Sequence, residues 1–153
     1  MSISTGFDWG NGIALGAAFV SIIALICQSR DTKKQLELQT QQLKLQNYME
    51  YTKRYQEIIL NFPESVNESS FKLSDLDQEV RDKTMRYMRV YFDLCFEEYD
   101  LQTRNMIDKD MWLVWEGGMK FAFSKPAFIQ GWDIIKLDTE YNEGFNALVE
   151  YCR

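Results

Sequence analysis

The sequence predicts an all-α protein: an N-terminal transmembrane helix that continues into a long stalk helix, followed by a compact helical domain. Three observations predict it. Glycine stands at positions 6, 10, 12 and 16 and then not until Gly117, and the prolines are Pro63 and Pro126 alone. A chain so poor in breakers favours helix over strands and turns. Residues 9–29 carry no charge and are largely apolar, about twenty residues or roughly 30 Å of helix, which is one hydrocarbon core. Beyond them, apolar residues recur at three- and four-residue steps rather than in alternation. The 153 residues accordingly divide into 1–28 (tail and transmembrane helix), 29–62 (stalk) and 63–153 (cytoplasmic helical domain).

The apolar heart of the first element is Gly12 to Cys27, with Phe7 and Trp9 placed for the outer interface. No basic residue precedes it, and Ile26 stands before Cys27 where a cleavage site wants a small residue. Both features speak against a signal peptide or a lipoprotein. Residues 1–12 hold Asp8 and no Lys or Arg, whereas Arg30, Lys33 and Lys34 follow the run. The positive-inside rule then predicts a single-pass protein, N-terminus out and C-terminal domain in the cytoplasm. The net charge of −6 is unevenly spread: residues 28–62 sum to +2 and residues 63–153 to −7. That places the basic part against an anionic leaflet. At about 100° per residue, Gly10, Asn11, Ala14, Ala17, Ala18, Ser21 and Gln28 fall on one arc. Such a small-and-polar stripe predicts close self-association in the membrane, with pore lining as its stronger form.

In the stalk, Leu38, Leu45, Tyr48, Tyr55, Ile59 and Phe62 form a seam, and Leu36 and Leu43 add a second stripe. An apolar surface this wide suits either a multi-helix bundle or a helix packed on its own C-terminal domain. Pro63 ends the helix, and residues 64–70 form the main loop. Ser74 or Asp75 would cap a second helix reaching about Arg104, with Val80, Tyr87, Tyr91, Leu94, Cys95 and Leu101 inward. Asp108 caps a third over Lys109–Phe123, Pro126 opens a short fourth, and Thr139 opens the last.

The chain has no histidine. That removes Ser–His and Cys–His nucleophile pairs, imidazole general bases and Cys₂His₂ zinc, so the expectation is no enzyme, no cofactor and no metal. Cys27, Cys95 and Cys152 are isolated, which suits a reducing compartment. Gly117-Gly118 lacks the spacing of a phosphate loop and points to close helix packing or a kink. Glu97, Glu98 and Asp100 read as a solvated helix face. Arg86 and Arg89 lie one turn apart beside Tyr87 and Tyr91, where they would hold a nucleotide phosphate or pair with acidic neighbours. The acidity of the domain argues against stable DNA binding. Trp112, Trp115 and Trp132 belong to a dense aromatic stretch. It reads as core first, with an oligomer interface as the main alternative and a ligand box behind both.

The run Tyr91–Leu101, then Ile107-Asp108, Trp112, Trp115-Glu116-Gly117-Gly118-Met119 and Trp132, resembles a bacterial domain of uncharacterised function that commonly follows one transmembrane helix. The layout is also similar to the pore-like membrane accessory proteins of type VI, RNA-targeting CRISPR systems, whose cytoplasmic part is a diverged HEPN-type helical domain. That resemblance implies a homo-oligomeric antiphage effector in the bacterial inner membrane. Its partners would be its own copies, the lipid bilayer and, indirectly, an RNA-targeting effector or its signal. HEPN ribonucleases carry an arginine, a polar residue and a nearby histidine. Arg104-Asn105 would be a degenerate start of that motif, and with no histidine to complete it the resemblance implies lost nuclease chemistry. A related class gated by a cyclic oligoadenylate would place its ligand at Arg86 and Arg89.

Overall fold

The computed structural model describes the backbone of residues 9–153 and the side chains of residues 19–153. Five helices follow one another: α1 Trp9–Ile59, α2 Gln78–Thr103, α3 Lys109–Phe123, α4 Pro126–Ile135 and α5 Glu143–Cys152. Single 3₁₀ turns at Glu64–Asn67 and Leu73–Asp75 link α1 to α2, and no strand occurs among the described residues. The chain is all-α, as its lack of breakers predicts.

Two compact units divide the chain, Met1–Leu45 and Gln46–Arg153. The first is α1 up to Leu45. Phe19, Val20, Ile22, Ile23, Leu25 and Ile26 are exposed along it, as are Leu36, Leu38, Leu43 and Leu45. Among the described residues no helix is long and apolar enough to cross a membrane. The first half of the apolar run lies outside the residues with described side chains, and so do Gly10, Asn11, Ala14, Ala17 and Ala18. Ser21 and Gln28 are exposed, and the Gln28 carbonyl accepts from Thr32 Oγ1 at 2.8 Å.

The second unit begins at Gln46 rather than at the residue 63 expected from sequence, because the end of α1 packs with the C-terminal helices. Ile58 is buried, and Tyr51 and Ile59 lie against the core. Of the two arrangements left open for the seam, packing on the chain's own domain holds for Ile59 and Phe62, the latter meeting Phe128 at 5.6 Å between ring centroids. Tyr48 and Tyr55 remain partly exposed, at 39% and 44%. The helix stops before Pro63, whose ring disfavours the helical conformation of Phe62. Asn61 Nδ2 donates to the Glu57 carbonyl at 2.8 Å, satisfying one of the last free acceptors.

Neither Ser74 nor Asp75 caps α2. Both sit in the second 3₁₀ turn, and Asp77 is the cap, accepting from the Val80 amide at 3.0 Å. Gln130 decides this by clamping the turn from α4: its Oε1 accepts from the Leu73 amide at 3.0 Å and its Nε2 donates to the Phe71 carbonyl at 2.9 Å. Similarly, Asn142 rather than Thr139 caps α5, accepting from the Phe145 amide at 2.8 Å. Asp108 caps α3 and Pro126 opens α4, as expected.

Phe92 sits at the centre of the core, stacked on Phe123 at 5.1 Å and against Trp132 at 4.9 Å. Met88, Leu94, Phe128, Ile135, Phe145 and Val149 complete it. Trp132 is almost fully buried and its Nε1 donates to Glu150 at 3.0 Å, so it is a core residue and drops out of the expected interface set. Gly117 and Gly118 show neither close packing nor a break in α3: an added Cβ would meet nothing within 4 Å at either. At Gly131 a Cβ would fall far inside contact distance of Met88 Sδ, so this is the glycine on which the α2–α4 approach depends.

Candidate functional site

In the second unit, α1, α2 and α3 leave between them a cavity of about 280 Å³. Helix α1 contributes Tyr48, Tyr51, Thr52 and Tyr55, spaced to share one face. Helix α2 contributes Tyr91, Leu94, Cys95 and Glu98, again one face, and α3 contributes Val114, Trp115, Gly118 and Met119. Tyr51 and Trp115 lie 5.0 Å apart between ring centroids, and Tyr55 and Tyr91 6.3 Å apart. Exposed Tyr48, Tyr55 and Val114 form the rim; Tyr91, Cys95 and Met119 form the floor. Four tyrosines and a tryptophan thus surround a space suited to a group of a few heavy atoms.

One carboxylate faces this aromatic box. Glu98 is only 7% exposed, and among the described residues it makes no hydrogen bond or ion pair. Its neighbour Glu97 takes the nearby cation: Arg54 Nη1 donates to Glu97 Oε2 at 2.6 Å and Nη2 to Oε1 at 3.2 Å. The Arg54 guanidinium also stands over the Tyr51 ring, 5.3 Å from its centroid. Burial raises the Glu98 pKa to about 8; Arg54 opposes the shift and Glu97 adds to it. Burial also raises Tyr91 and Cys95. An inert, protonated thiol on the floor is not a nucleophile.

Glu98 therefore corrects the expectation of a solvated acidic face. Glu97 fits that expectation and Asp100 is half-buried, but Glu98 points inward. Its signal was present in the sequence: Tyr91, Leu94, Cys95 and Glu98 stand at helical spacing, with the acid at a core position. Thr52 occupies a seam position between Tyr48 and Tyr55, whereas Tyr51 lies outside the seam that the periodicity marks.

The remaining predicted residues do not converge on this cavity. Arg89 is committed to Asp138, with Nη2 donating to Oδ2 at 2.7 Å, and that hydrogen bond holds the Asp138 carboxyl below its ordinary value. Arg86 is exposed beside Glu79 and Asp82. The two arginines are thus not a matched phosphate clamp, and the ion-pair alternative holds for Arg89. Arg104 pairs with Asp100 at 2.8 Å, and Asn105 has φ 56, the left-handed residue that closes α2. Trp112 and Trp115 are half-buried against the core, and Trp115 alone of the three tryptophans reaches the cavity. Among the described residues no three His, Cys, Asp or Glu side chains gather as a metal ligand set. Comparison with known proteins found no matching family model, no similar curated protein and no similar solved structure.

Proposed function

We propose that this protein is a single-pass inner-membrane effector, N-terminus out, that assembles from copies of itself and perturbs the membrane without catalysis of its own. Antiphage defence of the CRISPR-associated kind is the setting that the layout suggests. The observation that carries the reading is α1. From Phe19 to Leu45 it bears ten large apolar residues that the chain itself leaves exposed, first as an uncharged, mostly apolar run and then as two stripes among glutamines. Lipid would cover the run, and neighbouring copies would cover the stripes. The lack of any histidine, and a buried cysteine held as a thiol, argue against a nucleophile–base pair in the head. HEPN ancestry adds nothing to this reading, since Arg104 and Asn105 close a helix. Gating by a cyclic oligonucleotide is not carried forward, because Asp138 already occupies Arg89.

Reconstitution of the full-length protein tests the proposal. Purified in detergent it runs as a closed oligomer by native mass spectrometry, and in liposomes it dissipates an imposed potassium diffusion potential. A monomer that leaves the potential intact would end this reading. A non-enzymatic tethering adaptor is the second reading, favoured by the outward face of α3, where Leu113, Val114 and Phe121 are exposed. Stoichiometric capture of one foreign protein, with the potential undisturbed, would select it.

A further inference from the structure

We infer that the cavity between the end of α1, α2 and α3 is a binding site for a small organic ammonium cation, held by the Tyr48, Tyr51, Tyr55, Tyr91 and Trp115 rings around the Glu98 carboxylate. The walls supply the first half of the argument. Aromatic rings present a negative face to a cation, and several rings around one space are how alkylated ammonium groups are recognised. A volume of about 280 Å³ is at the small end of ligand pockets, right for a tetra-alkylammonium head and too small for a nucleotide.

The carboxylate supplies the second half. A buried carboxylate is normally paired or hydrogen-bonded. Glu98 is neither, because Arg54 is turned to Glu97 in a two-point contact. The pocket thus holds a carboxyl that no cation among the described residues contacts, and its neighbours are rings that favour a cation. A neutral apolar ligand would leave the protonated Glu98 carboxyl without a hydrogen-bond partner, and an anion would meet Glu97 and, once ionised, Glu98.

A pH dependence follows. The titratable and charged groups around Glu98 are Tyr48, Tyr51, Tyr55 and Arg54 from α1, and Tyr91, Cys95 and Glu97 from α2; the α3 lining has none. With no ligand the carboxyl holds its proton up to about pH 8. Cation binding needs the ionised form, so it expels a proton below that pH, and affinity rises about tenfold between pH 7 and pH 9.

The test uses the full chain in a maltoside detergent, which carries no ammonium group. Tetramethylammonium, choline and n-butylammonium are titrated by calorimetry and by saturation-transfer NMR, beside 3,3-dimethylbutan-1-ol, the neutral carbon analogue of choline. The expected result is saturable binding of at least one cation at one per chain, with the neutral analogue at least tenfold weaker. Glu98→Gln, which keeps shape and removes charge, weakens the cation at least tenfold and abolishes its pH dependence. Tyr55→Leu, at the exposed rim where folding is not at stake, weakens it several-fold. Equal affinity for the neutral analogue, an unchanged Glu98→Gln variant, or no saturable binding across the panel would overturn the inference. A free cation and an ammonium lipid headgroup share this chemistry, so bound cation is challenged with monomeric dihexanoylphosphatidylcholine. Displacement assigns the site to a headgroup and resistance assigns it to a free cation, and either supports cation recognition.

Discussion

Glu98 is the residue whose chemistry departs furthest from its type, and its protonation makes a stability prediction independent of any ligand. In the unfolded chain its carboxyl ionises near 4.5, whereas in the fold it ionises near 8. Between these values the native state holds the extra proton, so stability is fully present below the lower pH and declines as pH rises through the upper one. The decline attributable to Glu98 is on the order of 5 kcal/mol. Thermal melting followed by near-ultraviolet circular dichroism, which reports on the aromatic core, checks it. Wild type loses melting temperature from pH 5 to pH 9 relative to Glu98→Gln, and the two coincide at pH 4.5. Parallel curves would show that water or a neighbour satisfies the carboxylate. At this scale the sequence was partly legible. Helical periodicity marks Tyr91, Leu94 and Cys95 as inward, but charge type outweighed position for Glu98. What periodicity cannot supply is partner choice: only the fold shows that Arg54 goes to Glu97.

Elements were more legible than residues, wherever one signal stood alone. Asp108 before an apolar period and Pro126 after a break each have a single interpretation, and the structure places α3 and α4 there. Where cap-competent residues crowd together, at Ser74, Asp75 and Asp77 or at Thr139 and Asn142, local chemistry does not choose. The Gln130 clamp, a contact across the fold, decides the first case. Asp77→Ala should then cost about 1 kcal/mol, and Ser74→Ala and Asp75→Ala close to nothing, by chemical denaturation. The glycines give a contrast of opposite sign. Gly117→Ala meets open space in an exposed helical position and should stabilise by about 0.5–1 kcal/mol. Gly131→Ala drives a methyl into the sulfur of a fully buried Met88 and should destabilise by about 1–3 kcal/mol. Pairing it with Met88→Ala should cost less than the sum of the two single changes, because the second makes room for the first. Additive costs would mean that the crossing of α2 and α4 does not rest on that contact.

At the scale of the whole molecule, the arrangement of apolar residues on α1 bears on symmetry. Leu38 and Leu45 lie on one line of the helix, while Leu36 and Leu43 lie on another, about 160° round it. All four are between 51% and 63% exposed in the single chain. A two-fold dimer covers one patch on each copy with the same patch of its mate, and would leave the other stripe in water. Two stripes on nearly opposite sides instead want two different neighbours, which is the head-to-tail contact that closes into a ring. The prediction is a pair of double variants in the full-length protein, Leu38→Gln with Leu45→Gln, and Leu36→Gln with Leu43→Gln. Glutamine is nearly as good a helix former as leucine, so α1 persists and its surface alone changes. In a ring every contact joins one stripe to the other, so either double variant should collapse the oligomer by native mass spectrometry. Melting of the aromatic core should move little in both, since none of the four residues belongs to it. If one pair abolishes assembly and the other leaves it intact, the contact is isologous and the assembly is built from dimers. If neither pair matters, the two leucine stripes take no part in self-association.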